Sequence, residues 1–235
     1  EGVAVLFGNY AGDNMNVKMA VQMAEDDDIE VKYVVANDDV ASAPKAVKEQ
    51  RHGIAGGFFM WKVGGARAAK GGSLDDVIAS AQNVVNRTKS ICVGLEPCVI
   101  PALGHSNFKI EDVTMEFGVG HHGEAGTKVE KLKSASEMAQ EMAETILNDF
   151  DFEEGKEVAV MLSGLGATPV MELYVLYDDG EKVLAKAGHK VWKTYIGNYV
   201  TSLDMNGASL TIVDLDDEIK ELLSEPAVPI GMKNY

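Results

Sequence analysis

The chain has 235 residues, of which 46% are hydrophobic, so it can bury one large core or two small ones. Its formal net charge of −16 argues against nucleic acid as a partner, because phosphate binding needs clustered Lys and Arg. No apolar run is long enough to span a bilayer and no signal peptide is visible, which predicts a cytoplasmic protein with no membrane partner. Cys92 and Cys98 are too few for a disulfide framework and lack a zinc or redox spacing, so we predict two buried thiols.

The first part of the chain predicts a parallel strand–helix–strand unit. Val3–Phe7 is a short apolar run closed by Gly8, the pattern of a buried strand that ends in a turn. A helix is predicted from Asn14 to Ala24 and a second strand over Ile29–Ala36. Ligands of such folds bind at the carboxyl ends of the strands, where residues 8–13 lie. The predicted inner face of the helix consists of four apolar side chains, Met15, Met19, Val21 and Met23.

The rest of the chain predicts a second unit of mixed character. A helix rich in Gly and Ala is predicted within residues 53–72, and Ser73 followed by two acids predicts the start of another that runs to Arg87. Further helices are predicted at 134–149 and 169–177, and strands at 90–93, 113–117, 157–162 and 209–214. The predicted fold class is therefore α/β with two domains. Residues 1–88 form an incomplete part of a parallel-sheet domain, and residues 89–235 form a mixed-sheet α+β domain.

A double histidine in a glycine-rich loop is the least ordinary feature of the sequence. The loop Gly118–Gly126 contains four glycines, which allow backbone conformations that a Cβ forbids and can present a side chain in a fixed, exposed pose. A neutral imidazole such as that of His122 is a competent nucleophile toward a carbonyl. Taken by itself, the pair with His121 is more typical of a metal site, with Glu124 as the only local carboxylate, or of a plain surface loop. The pattern alone leaves these three interpretations open.

Asp13 is the second candidate for chemistry. It closes the segment 8–13 just before the predicted helix, a position typical of an N-cap aspartate. A carboxylate there is also able to act as general base on a substrate hydroxyl, if a cleft brings the hydroxyl within hydrogen-bond reach. The chain has neither a Walker-type phosphate loop nor a kinase-type glycine loop with its lysine. Phosphoryl transfer would therefore need a nucleotide carried by another domain or subunit.

Five blocks of the sequence, in order along the chain, resemble the signatures of the dihydroxyacetone kinase substrate-binding subunit. Two of them contain the candidates above: Asn-Tyr-Ala-Gly-Asp at 9–13 and Met-Glu-Phe-Gly-Val-Gly-His-His-Gly-Glu-Ala-Gly at 115–126. The others are Cys-Val-Ile-Pro at 98–101, Leu-Gly-Ala-Thr-Pro at 165–169 with Glu-Leu-Tyr at 172–174, and Thr-Ser-Leu-Asp-Met-Asn-Gly at 201–207. Chance or a shared fold alone would hardly produce five such blocks in order, so the resemblance is specific.

The resemblance implies a role for each candidate residue. The family histidine at the position of His122 bonds to the carbonyl carbon of dihydroxyacetone or a similar small ketose as a hemiaminal. The aspartate at the position of Asp13 is the base beside the hydroxyl that is phosphorylated, and Gly8 stands at a substrate-binding position where the family has a lysine. The resemblance also implies a homodimer active in glycerol metabolism. A nucleotide-binding kinase subunit or domain, in some members linked to a phosphotransferase system, would carry ATP or ADP with Mg²⁺, while this chain binds neither cofactor nor metal.

Departures from the family pattern keep alternatives open. The family's chains begin with a further segment whose Gly-Gly-Gly-Ser-Gly-His-Glu-Pro motif supplies substrate contacts, and this chain lacks it. That segment is on a separate polypeptide or has been removed, unless the chain is a degenerate form; we favour a missing piece. Gly8 replaces the lysine, and His121 and Ala125 replace an aliphatic residue and a proline. The alternatives are a non-catalytic, dihydroxyacetone-binding regulatory paralogue and a kinase for a related tetrulose. The presence of Asp13 favours the kinase, since a pure binding protein needs no base.

Overall fold

A two-stranded parallel sheet forms the first part of the structure. The computed structural model describes residues 2–106, 108–150, 155–229 and 231–233. Strand β1 (Val3–Gly8) pairs in parallel with β2 (Val31–Ala36), and helix α1 (Ala11–Asp26) joins them. This confirms the predicted parallel strand–helix–strand unit. A 3-10 helix (Lys45–Gln50) then leads to helices α2 (Gly57–Ala69) and α3 (Leu74–Asn86).

A mixed sheet of six strands forms the second part, and it confirms the predicted fold class. Its neighbours run antiparallel except for one parallel pair, and the spatial order of the strands is β7-β6-β3-β10-β8-β9, where the pair β8-β9 is parallel. The elements are β3 (Thr88–Glu96), β4 (Val99–Ile100), β5 (His105–Ser106), β6 (Thr114–Phe117), β7 (Lys128–Lys131), α4 (Ala135–Asp149), β8 (Glu157–Gly164), α5 (Val170–Lys186), β9 (Lys190–Gly197), β10 (Asn206–Asp214) and α6 (Asp217–Ser224). Strands β4 and β5 form a separate small hairpin.

The hydrophobic core lies on both faces of the six-stranded sheet. On one face, α4 and α5 bury Met142 and Leu173 against the strands. On the other face, α2, α3 and α6 lie between the two sheets, where Phe59 packs in one cluster with Val34 of β2 and Met161 of β8. Helices α2 and α3 contact the two-stranded sheet, and Phe59 of α2 also packs against Tyr195 of β9. This core is therefore shared across residue 88, and the domain boundary predicted there stays a prediction.

Local sequence signals gave several element boundaries. Helices α3 and α4 begin with capping boxes at Ser73 and Ser134, each of which exchanges hydrogen bonds with an acid three residues later. Both cysteines are free and buried, as predicted. Helix α5 is longer than predicted, and the 3-10 helix, the small hairpin, β7, β9 and α6 were not predicted. Within the described residues no helix is both long and apolar enough to cross a membrane.

The predicted inner face of α1 is wrong at its three methionines and right at Val21. Its methionine side chains are 63%, 56% and 64% exposed, in the order Met15, Met19 and Met23. The partly buried positions are Val21 and three residues that were not predicted, Asn14, Val17 and Ala24, and together they follow the helical period. The sheet beneath α1 has two strands in the described part of the chain, so one narrow stripe covers it and the methionines point away.

The edge of β1 that faces away from β2 has a partner in α2. The backbone N–H groups of Val3 and Asn9 donate to the carbonyl oxygens of Glu30 and Ala36. Because successive residues of a strand point their backbone groups to opposite edges, Leu6 faces the edge away from β2. At that edge Trp61 Nε1 donates to the carbonyl oxygen of Leu6 at 2.9 Å.

Candidate active site

The loop that carries both histidines follows β6 and folds into a tight turn. The backbone N–H of Gly120 donates to the carbonyl oxygen of Glu124 at 2.8 Å, and the N–H of Gly123 donates to that of Gly120 at 3.1 Å. Gly123 has a φ of +83°, a conformation that L side chains rarely adopt. A Cβ at Gly120 would overlap Oε2 of Glu124. Only glycine at this position therefore lets the carboxylate fold back over the turn.

The folded-back carboxylate of Glu124 holds His122 at two points. The backbone N–H of His122 donates to Oε2 at 2.9 Å, and its ring Nδ1 lies 3.3 Å from Oε1. Burial acts to raise the pKa of Glu124, but the backbone N–H groups and the His122 ring outweigh it and hold that pKa below its ordinary value. An ionised carboxylate only accepts, so Nδ1 carries the proton and Nε2 carries the lone pair. The His122 side chain is 62% exposed, so Nε2 is open to a ligand.

The aromatic ring of Tyr10 packs against the side of His122. The two ring centroids are 4.5 Å apart and the planes make an angle of 67°. Tyr10 also stacks on His52, with centroids 4.8 Å apart and planes 20° from parallel. The β1–α1 loop and the segment after the 3-10 helix therefore meet the histidine loop, although the three are far apart in the sequence.

Hydrogen bonds fix the segment that contributes His52. Asn9 Nδ2 donates to the carbonyl oxygen of Arg51 at 2.6 Å, which ties this segment to the β1–α1 loop. The buried guanidinium of Arg51 makes two bonds of 2.7 Å to the carboxylate of Asp149 at the end of α4. This bidentate pair anchors the segment to the six-stranded part of the molecule.

Asp13 lies in the first turn of α1 and its side chain is exposed. The N-cap residue of α1 is Tyr10, so the interpretation of Asp13 as an N-cap is wrong. Asp13 and Tyr10, whose ring contacts His122, therefore both lie at the N-terminal end of α1. Gly8 ends β1 and packs closely against Gly53, whose carbonyl oxygen would lie 3.1 Å from a Cβ at Gly8. A lysine at this position would have to fit into that tight contact.

A small buried cluster lies behind the histidine loop. It contains residues from four of the five sequence blocks and two others, and its members are Ile54, Cys92, Cys98, Val119, Leu165 and Met205. The blocks also bond to one another, because Ser202 N–H donates to Leu165 O at 2.7 Å and Ala167 N–H to Met205 O at 3.1 Å. Ser202 Oγ in turn donates to the carbonyl oxygen of His121. Residues of four of the five sequence blocks thus support the histidine loop.

His121 differs from His122 in its surroundings. Burial, and secondarily the neighbouring His122, lowers the pKa of His121, so its ring is neutral at neutral pH. Its Nδ1 is buried and has no hydrogen-bond partner in the described part of the chain. The two histidine rings are 5.9 Å apart between centroids and nearly perpendicular. Among the described residues, no group of three His, Cys, Asp or Glu side chains is arranged to hold a metal ion.

Reasoning from the sequence missed three residues of the candidate site or their contacts. Tyr10 and His52 were not singled out, and Glu124 was considered only as a metal ligand. Tyr10 lies inside the block at 9–13, which was a signal to examine it. The contact of His52 with Tyr10 depends on the path of the chain between β2 and α2, for which the sequence has no local signal.

Comparison with known proteins identifies the family of this chain. A sequence profile of the Dak1 domain matches residues 1–230. The chain belongs to the Dak1 family. The resemblance noted from the five blocks is thereby confirmed. The profile spans nearly the whole chain, so it includes both the two-stranded part and the histidine loop.

Three relatives illustrate the range of this family. The chain is 40% identical over 217 residues to the dihydroxyacetone-binding subunit DhaK of a PTS-dependent dihydroxyacetone kinase from Listeria innocua, which covers 92% of this chain and 66% of the relative. It is 36% identical over 226 residues to a D-erythrulose kinase from Mycolicibacterium smegmatis, covering 96% of this chain and 39% of the relative. A solved structure of the dihydroxyacetone kinase operon co-activator Dha-DhaQ superposes with a TM-score of 0.89 at 29% identity, covering 96% of this chain and 70% of that one. The chain thus spans about two thirds or less of the curated relatives described here.

Proposed function

We propose that this chain is the ketose-binding part of a dihydroxyacetone kinase and that it captures its substrate covalently at His122. The observation that carries the proposal is the contact of Glu124 with Nδ1 of His122, which leaves the Nε2 lone pair on an exposed ring. A nucleophile needs that lone pair and room for the electrophile. The similarity to a dihydroxyacetone-binding subunit supports a short ketose as the electrophile.

Addition of His122 to the ketose needs no reactant other than solvent. Nε2 of His122 bonds to the carbonyl carbon, the π electrons of the C=O bond move to oxygen, and the oxygen takes a proton from solvent. The Nδ1 proton leaves through the Glu124 carboxylate to solvent, so the product is a neutral hemiaminal and no group departs. Glycerol has no carbonyl and is excluded by the chemistry rather than by the shape of the site.

The hemiaminal would hold the terminal hydroxyl of the ketose in place for phosphorylation. We assign the role of general base to Asp13, whose exposed carboxylate starts from the same turn as Tyr10, the residue that contacts His122. Phosphoryl transfer also needs charge stabilisation, and a nucleotide-binding partner subunit with ATP or ADP and Mg²⁺ would supply it. Assembly as a homodimer, a role in glycerol metabolism and the substrate-binding role of Gly8 stay predictions.

The first test follows the carbonyl carbon itself. Dihydroxyacetone labelled with ¹³C at its carbonyl is mixed with the protein, and ¹³C NMR reports whether that carbon becomes tetrahedral and protein-bound. We expect the bound signal with the wild-type chain and with His105→Ala, which removes an exposed histidine of the small hairpin. We expect no bound signal with His122→Ala. A tetrahedral bound carbon in His122→Ala would overturn the assignment.

The second test separates binding from turnover. Asp13→Asn should keep the bound ¹³C signal and lower the phosphorylation rate with the partner subunit by at least about 100-fold. Asp26→Asn, at the other end of α1, is the matched control and should keep the full rate. Equal loss of binding and turnover in Asp13→Asn would make Asp13 a structural residue instead.

Two further functions have a specific observation in their favour. Similarity to an operon co-activator favours a regulatory ketose-binding protein, and capture of dihydroxyacetone without turnover in the presence of the partner subunit would establish it. Similarity to a D-erythrulose kinase favours a four-carbon ketose, which competition between labelled dihydroxyacetone and erythrulose would reveal.

A further inference from the structure

His122 needs more than one contact to point its reactive nitrogen in a fixed direction. Glu124 fixes one end of the ring, but a hydrogen bond of 3.3 Å to a single atom leaves the ring plane free to turn. With 62% of the His122 side chain exposed, solvent offers nothing to stop that rotation. A ring that flips about its Cβ–Cγ bond would present a carbon to Glu124 and lose the preference for a proton on Nδ1.

Tyr10 supplies a closer ring contact than His121 does. Its ring meets that of His122 at 4.5 Å between centroids and at 67°, the edge-to-face arrangement that aromatic pairs prefer. On its other side the Tyr10 ring stacks on His52, so it cannot move away from His122 without displacing a second ring. His52 is itself held, because its backbone N–H donates to Ser42 Oγ at 2.9 Å and its carbonyl oxygen accepts from Asp39 N–H at 3.1 Å.

The phenol of Tyr10 is suited to this place because it stays uncharged. Burial, and then the nearby Glu124 and Asp39 carboxylates, raise the pKa of Tyr10 above its ordinary value. Its hydroxyl is buried and has no hydrogen-bond partner among the described residues. The contact with His122 is therefore made by the ring, and the hydroxyl is not needed for it.

We propose that Tyr10 is a positioning residue: its ring, supported by His52, holds the imidazole of His122 so that Nδ1 faces Glu124 and Nε2 faces the ketose. The inference deepens the proposed function and, for its effect on ketose capture, rests on it. The tautomer of His122 is a property of the free protein and can be measured whether or not a ketose binds.

The experiment compares Tyr10→Leu, which removes the aromatic ring, with Tyr10→Phe, which keeps it. In protein labelled with ¹⁵N-histidine and observed near pH 8 without ketose, the His122 nitrogens are identified by their loss in His122→Ala. The wild type and Tyr10→Phe should show the single tautomer with the proton on Nδ1. Tyr10→Leu should show a mixture of tautomers, and His52→Leu should shift in the same direction by less.

Rates of ketose capture give the second readout. Tyr10→Leu should slow formation of the tetrahedral ¹³C signal by about 2- to 10-fold, whereas Tyr10→Phe should restore the rate to within about twofold of the wild type. Tyr33→Leu, which removes a half-exposed tyrosine packed on Phe7, is the matched control and should change neither readout. Thermal unfolding of each variant checks that it is folded, and His52→Leu replaces Tyr10→Leu if the latter is not.

Two results would overturn the inference. Wild-type tautomer and rate in Tyr10→Leu would show that the ring does not position His122. Equal effects of Tyr10→Phe and Tyr10→Leu would show that the hydroxyl, not the ring, is responsible. If instead the wild type captures no ketose but its tautomer changes in Tyr10→Leu, the proposed function fails and the positioning role stands.

Discussion

The two sheets of this protein are packed very differently. The six-stranded sheet is covered on both faces, and its central strand β3 is buried along most of its length. The two-stranded sheet has α1 on one face, and that helix has no buried residue. The candidate site joins the two, because His122 comes from a loop of the enclosed part and Tyr10 and Asp13 come from the thinly packed part. The backbone that carries the proposed nucleophile thus belongs to the enclosed part, while its positioning ring and the proposed base belong to the thinly packed part.

Polar contacts link the two parts in addition to the apolar core that they share. Asp38 accepts hydrogen bonds from the backbone N–H groups of Ile54 and Gly56, and Asp39 forms a bridge with Ser90 of β3. Arg51 then pairs with Asp149 of α4. These contacts determine where the segment that supports Tyr10 lies relative to the histidine loop.

Breaking the Arg51–Asp149 pair should have the largest effect on stability. Arg51→Met leaves the largely buried carboxylate of Asp149 without its partner, and we expect a loss of about 3 to 5 kcal/mol in the free energy of unfolding. Denaturant unfolding measures it. Lys182→Met, which removes an exposed ion pair on α5, is the control and should leave the midpoint unchanged. Equal midpoints for the two variants would show that the pair does not link the two parts.

Truncation of a methionine in each part compares their packing directly. Met161 of β8 is fully buried, so Met161→Ala should cost about 2 to 5 kcal/mol in the free energy of unfolding. Met19 of α1 is 56% exposed, and Met19→Ala should change it by no more than about 0.5 kcal/mol. Similar costs in denaturant unfolding would mean that α1 is covered in solution.

The effect of pH at the link is expected to be smaller per pH unit than these mutational costs. Burial raises the pKa of Asp39 to about 7 from its ordinary 3.8, with Asp38 adding to the shift and Arg51 opposing it. Protonated Asp39 is therefore favoured in the folded state. Its contribution to the free energy of unfolding is complete below the ordinary pKa and is lost as the pH rises through about 7. Asp39→Asn removes this dependence.

The measurement for Asp39 is the free energy of unfolding between about pH 4 and pH 8. The wild type should lose stability relative to Asp39→Asn by at most about 1.4 kcal/mol per pH unit. Asp38 is present in both proteins, so its own titration largely cancels in the difference. A constant difference across this range would contradict the expected shift.

The sequence predicted those features that depend on nearby residues. The apolar run of β1 and the N-cap Ser73 with the acids after it are local signals, and the structure confirms the elements that they predict. Helix α6 also has such signals, with Asp216 as its N-cap and Ile219 buried, and these were overlooked.

Features that depend on distant partners could not be predicted. The inner face of α1 follows from which strands lie beneath it, and three methionines at a spacing of four residues look like a buried stripe when that is unknown. His122 was identified because its loop resembles a family signature, whereas its contact with Tyr10 arises only when the two parts of the chain meet. The contact of Glu124 with His122 depends on the turn at Gly120, which lets the carboxylate fold back.

The hydrogen bond from Trp61 to the edge of β1 gives this protein a built-in optical reporter. The chain has only two tryptophans. Trp61 bonds to Leu6 beside the two-stranded sheet, and Trp192 lies in β9 at the far edge of the six-stranded sheet. Replacing one of them with Phe leaves a single indole, and comparing the two variants separates the surroundings of β1 from those of β9. Emission can therefore reveal whether the thinly packed sheet opens before the enclosed one.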